Sequence, residues 1–336
     1  MTVVGPFGLS VRDQALEADV RAGMTAVEEG LLEATKSEVP FITGAAQHLV
    51  RAGGKRFRPL LVMLAAQFGD PHAPGVVPSA VVVELTHLAT LYHDDVMDDA
   101  GVRRGVPSAN TRWGNSVAVL TGDFLFARAS HILADLGPEA VRVQAEAFER
   151  LVSGQILETA GPQDGRDPVD HYLDVLSGKT GSLVAVSCRF GAMMSGADDA
   201  VVDVLTQYGE RLGIAFQLAD DVLDIASDSH ESGKTPGTDL REGISTLPVL
   251  RLRERAARQG LPEDVALCEL LDSDLSDDGR HAEALRLLRA HPALEQARRD
   301  TVRHAQEARA VLAPLPECEA KTALVELCDA VVHRAG

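Results

Sequence analysis

Cysteine is scarce and unpatterned in this chain. The four residues Cys188, Cys268, Cys318 and Cys328 include no CxxC pair, so their spacing encodes neither a disulfide framework nor a thiolate zinc site. Such usage suits a reducing compartment. The opening "MTVVGPFGLSVRDQALEADV" lacks a basic segment followed by a long apolar core, which is the pattern of a secretory signal. No uninterrupted apolar run reaches the roughly 18 residues that a membrane span needs. The expectation is a soluble, cytoplasmic protein. Positive charge is short as well: 32 Lys and Arg face 50 Asp and Glu, for a net charge of −18. That balance argues against a nucleic-acid partner, although local basic clusters for small anions survive inside acidic chains. Strand signals are poor, and no repeat recurs at solenoid spacing.

What the chain does have is helix and a sizeable core. Hydrophobic residues make up 45% of the 336 positions, and apolar residues recur at three and four in "ALEADVRAGMTAVEEGLLEAT" and "AVRVQAEAFERLVSGQILETA". "SAVVVELTHLATLYHDDVMDD" carries a β-branched cluster, but its length without Gly or Pro predicts a long buried helix. A second long helix is predicted from about Asp199 to Ile225. Gly and Pro punctuate "FGDPHAPGVVP", "GPQDGRDPVD" and "SDSHESGKTPGTDL". The last of these, residues 227–240, follows an acidic helix end and is a candidate lid. Residues 255–290 read as acidic and irregular.

One local pattern occurs twice. Asp94, Asp95 and Asp98 ("DDVMD") have a twin in Asp220, Asp221 and Asp224 ("DDVLD"). First and last aspartates stand four apart, on one helix face about one turn from each other. Like charges so placed repel unless something cationic joins them. Hard carboxylate oxygens at that spacing suit Mg²⁺, which keeps several waters for exchange with phosphate. A single such cluster is more often a solvated helix face; two copies inside apolar helices are harder to place in a core without purpose. Basic residues gather nearby in sequence. "RAGGKRFRP" collects Arg51, Lys55, Arg56 and Arg58 around two glycines, "RRG" follows the first acidic cluster, and "GKT" occurs at 178–180 and 233–235. Singly each reads as surface charge, and neither "GKT" has the upstream glycine of a P-loop. Together they describe a site for diphosphates held through bridging metal.

Six motifs in order, "GGKRFRP", "HDDVMDDAGVRRG", "TGDFLFARA", "SGKTGSL", "FQLADDVLD" and "GKTPGTDLREGISTLPVL", resemble the trans-isoprenyl diphosphate synthases of the polyprenyl synthetase family. The likeness runs over about residues 45–255 and is greatest to bacterial long-chain enzymes that make quinone side chains. It implies an all-α fold, a single helical bundle around a deep central cavity over 1–336, with 257–336 completing the bundle, usually as a homodimer. It implies that the two acidic clusters face one another and hold about three Mg²⁺ with an allylic diphosphate. By resemblance Asp94, Asp95, Asp98, Asp220, Asp221 and Asp224 are the metal ligands, foremost Asp94, Asp98 and Asp220. Arg103, Lys179 and Lys234 contact the allylic diphosphate. Gly54, Lys55, Arg58, His87 and Arg104 form the pocket for isopentenyl diphosphate. Thr180 and Gln217 line the place where a carbocation forms. Carboxylates, metal, diphosphate and the three cations then sum to neutrality, which makes the crowd of aspartates tolerable. The implied chemistry is ionisation of the allylic diphosphate, attack by the isopentenyl double bond, and loss of a proton, in a site that excludes water.

Product length should follow cavity depth, because an isoprene unit is close to the 5.4 Å pitch of a helical turn. Residues 80–91, "AVVVELTHLATL", contain no aromatic side chain, and the resemblance marks Ala89 as the position that is aromatic in many short-chain enzymes. The expectation is a product of about seven to ten units, with a transient membrane contact to release it. Ala89 could equally pack against a neighbouring helix, with Phe124, Phe126 or Phe148 closing the floor. Three rivals stay open: a short-chain geranylgeranyl-type synthase, a terpene cyclase on the same fold, and a non-catalytic partner subunit.

Overall fold

The computed structural model describes residues 2–4, 9–11, 13–227 and 236–335. Lys234 and most of the 227–240 segment, named above as a diphosphate contact and a lid, lie outside the described residues. In chain order the helices are α1 Gln14–Ala34, α2 Pro40–Ala46, α3 His48–Arg51, α4 Phe57–Ala66, α5 Val76–Met97, α6 Ala109–Trp113 and α7 Asn115–Leu136. There follow α8 Pro138–Ala160, α9 Pro168–Leu176, a π-helical turn over Ser177–Gly181, α10 Ser182–Met194 and α11 Asp199–Ala226. The C-terminal part holds α12 Thr238–Arg241, α13 Leu247–Gln259, α14 Pro262–Leu271, α15 Asp278–Ala290, α16 Pro292–Val311 and α17 Glu319–Ala335. Strand among the described residues is confined to two small antiparallel ribbons, β1 Thr2–Val4 with β2 Leu9–Val11 and β3 Val102–Arg103 with β4 Val106–Pro107. The fold is all-α, as the periodicity predicts, and the two long helices fall where the sequence put them.

The chain divides into two compact units. Met1–Glu149, Leu183–Gly209 and Val311–Glu326 form the first; Arg150–Ser182, Glu210–Ala310 and Leu327–Gly336 form the second. In the first unit α4 and α5 are apolar nearly all round, and Leu60, Leu61, Leu64, Val82, Leu85 and Leu88 are buried with Val27 and Leu31 of α1. A helix without a polar face belongs at the centre of a core. α7 lies against α5 closely because Gly122 has no side chain: a Cβ there would stand 2.3 Å from His93 Nε2 and 3.1 Å from the Ala89 carbonyl oxygen. By length and composition α7 is the one described helix able to cross a membrane. Its Ala118, Leu125, Ala129 and Leu133 are buried in this fold.

The second unit is built on α9, the lower half of α11, and α13 to α16, with Leu212, Leu218, Val222, Leu247, Leu252, Leu288 and Ala297 buried. Residues 255–290 are not irregular. They complete α13 and form α14 and α15, because Leu267, Ala284, Leu285 and Leu288 supply a buried stripe beneath a charged outer face. The Asp277 carboxylate accepts from Arg280 N at 2.9 Å and starts α15. The abundant acids obscure that stripe in the sequence.

Candidate active site

Both acidic clusters sit at helix C-termini. Asp94 and Asp95 are in the last turn of α5, and Asp98 is its C-cap. Asp220, Asp221 and Asp224 occupy the last two turns of α11. A helix C-terminus already carries partial negative charge, so three carboxylates there are doubly unfavourable without cations. The repetition of that placement in two helices is the strongest physical signature of the site.

In the first unit the cations are supplied by two turns. α5 ends at Asp99, whose φ of 48° breaks the helix, and the chain reverses through the β3–β4 ribbon. Its two-residue loop, Arg104 and Gly105, has φ of 53° and 77°, the left-handed pair of a type I′ turn. The ribbon delivers Arg103 to Asp95, Nε donating to Oδ1 at 2.6 Å. It delivers Arg104 to the 51–58 loop, where its guanidinium donates to the carbonyl oxygens of Gly53 and of Leu49, the latter at 3.1 Å. Gly54 has φ of 148°, and a Cβ would meet the Arg104 guanidinium at 2.7 Å. The positive φ, rather than the movable guanidinium, requires glycine here.

A carboxylate missed in the sequence organises these cations. Glu84, on α5 and 1% exposed, accepts from Arg56 Nη1 at 2.9 Å and stands 3.7 Å from Arg104 Nη2. Arg56 also donates to Glu28 at 2.5 Å and to the Val50 carbonyl at 3.0 Å. Arg56 therefore turns inward as a strut, and the excess positive charge rests on its neighbours. Burial and the adjacent Arg104 charge push Arg58 down to about 10 despite Glu84, so it stays protonated at neutral pH. Its buried Nε has no hydrogen-bond partner among the described residues, a donor suited to an anion. Burial, then the Arg58 and Arg104 charges, hold His87 well below the usual imidazole range. It is neutral at pH 7 and able both to donate and to accept. The signal for Glu84 was a lone acid in "SAVVVELTHLAT", three residues before His87 and on the same helix face.

Asp95 is fully buried. Burial, outweighing the Arg103 hydrogen bond, raises it above the usual carboxylate range. Its Oδ2 is buried with no hydrogen-bond partner among the described residues. A carboxylate oxygen so placed accepts a cation readily. Among the described residues no three carboxylate, imidazole or thiol groups converge into a preformed metal cage.

In the second unit Lys179 and Thr180 lie on the Ser177–Gly181 π-turn, a local distortion that recurs at functional sites. Lys179 Nζ donates to Glu158 at 2.6 Å, a partner absent from the sequence reading. Gln217 donates to Asp221 Oδ1 at 3.0 Å and accepts from Thr180 Oγ1 at 3.4 Å. Tyr172, also missed, donates its hydroxyl to Asp221 Oδ2. Burial first, then the neighbouring Asp220 and Asp224 charges, push Asp221 up to about 6 against both hydrogen bonds. Asp224 accepts from the N–H groups of Thr238 and Asp239, each at 3.3 Å, and so caps α12. Ala89 is buried on α5 against α7. His93, Phe126 and Phe148 form an aromatic group, the two phenylalanine rings 4.4 Å apart.

Comparison with known proteins agrees with this chemistry. Over 98% of its length the chain is 47% identical to a nonaprenyl diphosphate synthase of Mycobacterium tuberculosis, 97% of which is covered. A geranylgeranyl pyrophosphate synthase of Corynebacterium glutamicum, solved with calcium and isoprenyl diphosphate, superposes with a TM-score of 0.87 at 44% identity, covering 97% of this chain and 99% of that one. A decaprenyl diphosphate synthase of Rhodobacter capsulatus superposes with a TM-score of 0.85 at 36% identity, covering 96% and 99%. Residues 39–288 match the polyprenyl synthetase family across both acidic clusters and the cationic turns, and the chain belongs to that family.

Proposed function

We propose that the protein is a chain-elongating trans-prenyltransferase that condenses isopentenyl diphosphate with an allylic diphosphate and makes a long-chain polyprenyl diphosphate. The observation that carries this reading is the pairing of an acidic helix end with a buried guanidinium group in the first unit. Asp94, Asp98 and Asp220 are the direct ligands of divalent cations, about three Mg²⁺ in all. When bound, the metal neutralises charge on the departing diphosphate. Arg103, Lys179 and Lys234 hold the allylic diphosphate. Gly54, Lys55, Arg58, His87 and Arg104 hold isopentenyl diphosphate, with Arg58 and Arg104 supplying charge and neutral His87 supplying one directed hydrogen bond. Thr180 Oγ1 and the Gln217 amide present polar atoms beside the ionising carbon. The enzyme acts in the cytoplasm as a homodimer, and its apolar product leaves through brief contact with a membrane.

Incubating the purified protein with isopentenyl and farnesyl diphosphates and Mg²⁺ should give a product of about seven to ten isoprene units. A product stopping at four units would support the second reading, a geranylgeranyl-type synthase, which the Corynebacterium structure favours. Asp94→Ala should lower kcat by at least about a thousandfold with helix content unchanged by circular dichroism. Retained turnover in that variant would refute the metal assignment.

A further inference from the structure

We propose that Tyr172 is a positioning residue for the second acidic cluster, holding Asp221 with a neutral donor so that Asp221 orders Gln217 rather than binding a cation itself. The proposal rests on the functional reading above and adds a residue that the motifs do not contain.

Asp221 is 5% exposed, and both of its oxygens are taken by side chains. Tyr172, on α9, donates to Oδ2. Gln217, one turn earlier on α11, donates Nε2 to Oδ1 at 3.0 Å. An ionised carboxylate only accepts, so Gln217 must turn its NH₂ toward Asp221 and its carbonyl away. That carbonyl accepts from Thr180 Oγ1 at 3.4 Å. One chain of hydrogen bonds therefore joins α9, α11 and the π-turn, and it fixes the orientation of the two groups assigned to the carbocation.

The first unit uses a related device with different chemistry. Its middle aspartate, Asp95, is also buried and is tied by a donor from another element, the β3–β4 ribbon, but that donor is the charged Arg103. A guanidinium cancels the charge it orders. A phenol does not. Tyr172 thus anchors Asp221 while leaving the negative charge of the second cluster available to attract Mg²⁺ through its neighbours.

Tyr172→Phe, Asp221→Asn and the double variant test this. Thermal unfolding of each would be followed against Mg²⁺ concentration with a non-reacting allylic thiodiphosphate present, together with steady-state kinetics. Tyr172→Phe should raise the Mg²⁺ needed for half-maximal stabilisation about tenfold, the scale of one hydrogen bond to a charged group. kcat should fall with it, while KM for isopentenyl diphosphate stays within about twofold, because the residues assigned to that substrate belong to other elements. Adding Tyr172→Phe to Asp221→Asn should change the Mg²⁺ titration no further, since the tyrosine acts through that carboxylate. An unchanged Mg²⁺ titration in Tyr172→Phe would overturn the proposal, as would additive effects in the double variant. Should Tyr172→Phe not fold, Asp221→Asn by itself should show the tenfold shift in the Mg²⁺ titration, and an unshifted titration there overturns the proposal too. If wild type itself gains no stability from Mg²⁺ and the analogue, the functional reading fails instead, and the two failures are told apart.

Discussion

Glu84 is nearly inaccessible and stands among Arg56, Arg58 and Arg104. Removing one partner of a buried ion group strands the others, and such changes cost about 3–5 kcal/mol. Glu84→Gln should therefore destabilise the protein by about 3 kcal/mol in urea unfolding. Asp98→Asn, at the exposed end of α5, should leave stability within about 0.5 kcal/mol. The same Glu84 variant should raise KM for isopentenyl diphosphate, because the guanidinium groups lose the counter-ion that gathers them. Motif reading found the cations and not their carboxylate, since Glu84 lies outside every quoted motif. Its partners Arg56 and Arg104 come from the 51–58 loop and the ribbon, which only folding brings to α5.

Among the elements, α5 and α14 show two kinds of constraint. Ala89 is fully buried and its carbonyl oxygen lies beside Gly122 of α7, so Ala89→Phe overpacks the core at a cost of about 1–3 kcal/mol. It should also shorten the product by several units, read by mass spectrometry of the prenyl alcohols; unchanged length would assign chain-length control to Phe126 and Phe148. Near α14, Asp264 is buried and accepts from Arg255 at 2.8 Å and His291 at 2.9 Å. Burial opposes its charge, but the His291 and Arg255 hydrogen bonds outweigh burial and hold the carboxyl below its usual range. A carboxyl depressed in the folded state contributes stability above its unfolded value near about 3.9, and loses it as pH falls through the folded value. Asp264→Asn should accordingly be less stable than wild type at pH 7 by about 2 kcal/mol, with the gap closing in unfolding measurements below about pH 4. The sequence marked this stretch as irregular because its acids are dense. The helices there are specified by sparse leucines and alanines together with the Asp277 cap.

For the whole molecule, net charge of −18 means that the protein as a whole repels anionic substrates. Binding must come from a few converging guanidinium groups and from metal. Chelation with EDTA should abolish turnover and leave the helical spectrum intact, since the helices bury their own apolar stripes without help from the acidic clusters. Saturating Mg²⁺ with an allylic thiodiphosphate should then raise the stability by about 2.7 kcal/mol at a hundred times the dissociation constant, visible as a rise in Tm.

The amino-acid order by itself determined the all-α class, the two long helices, both acidic clusters and the cationic loops, because helical periodicity and hard-oxygen spacing are local properties of a chain. Tertiary structure alone decided which carboxylates are already engaged: Asp95 by Arg103, Asp221 by Tyr172 and Gln217, Asp224 by the start of α12. It also decided that Glu84 gathers the guanidinium groups and that Ala89 lies against Gly122. Those partners are 4 to 49 residues apart in sequence. The energy of a buried charge depends on the neighbours that replace its water, and the order of residues does not reveal those neighbours until the chain has folded.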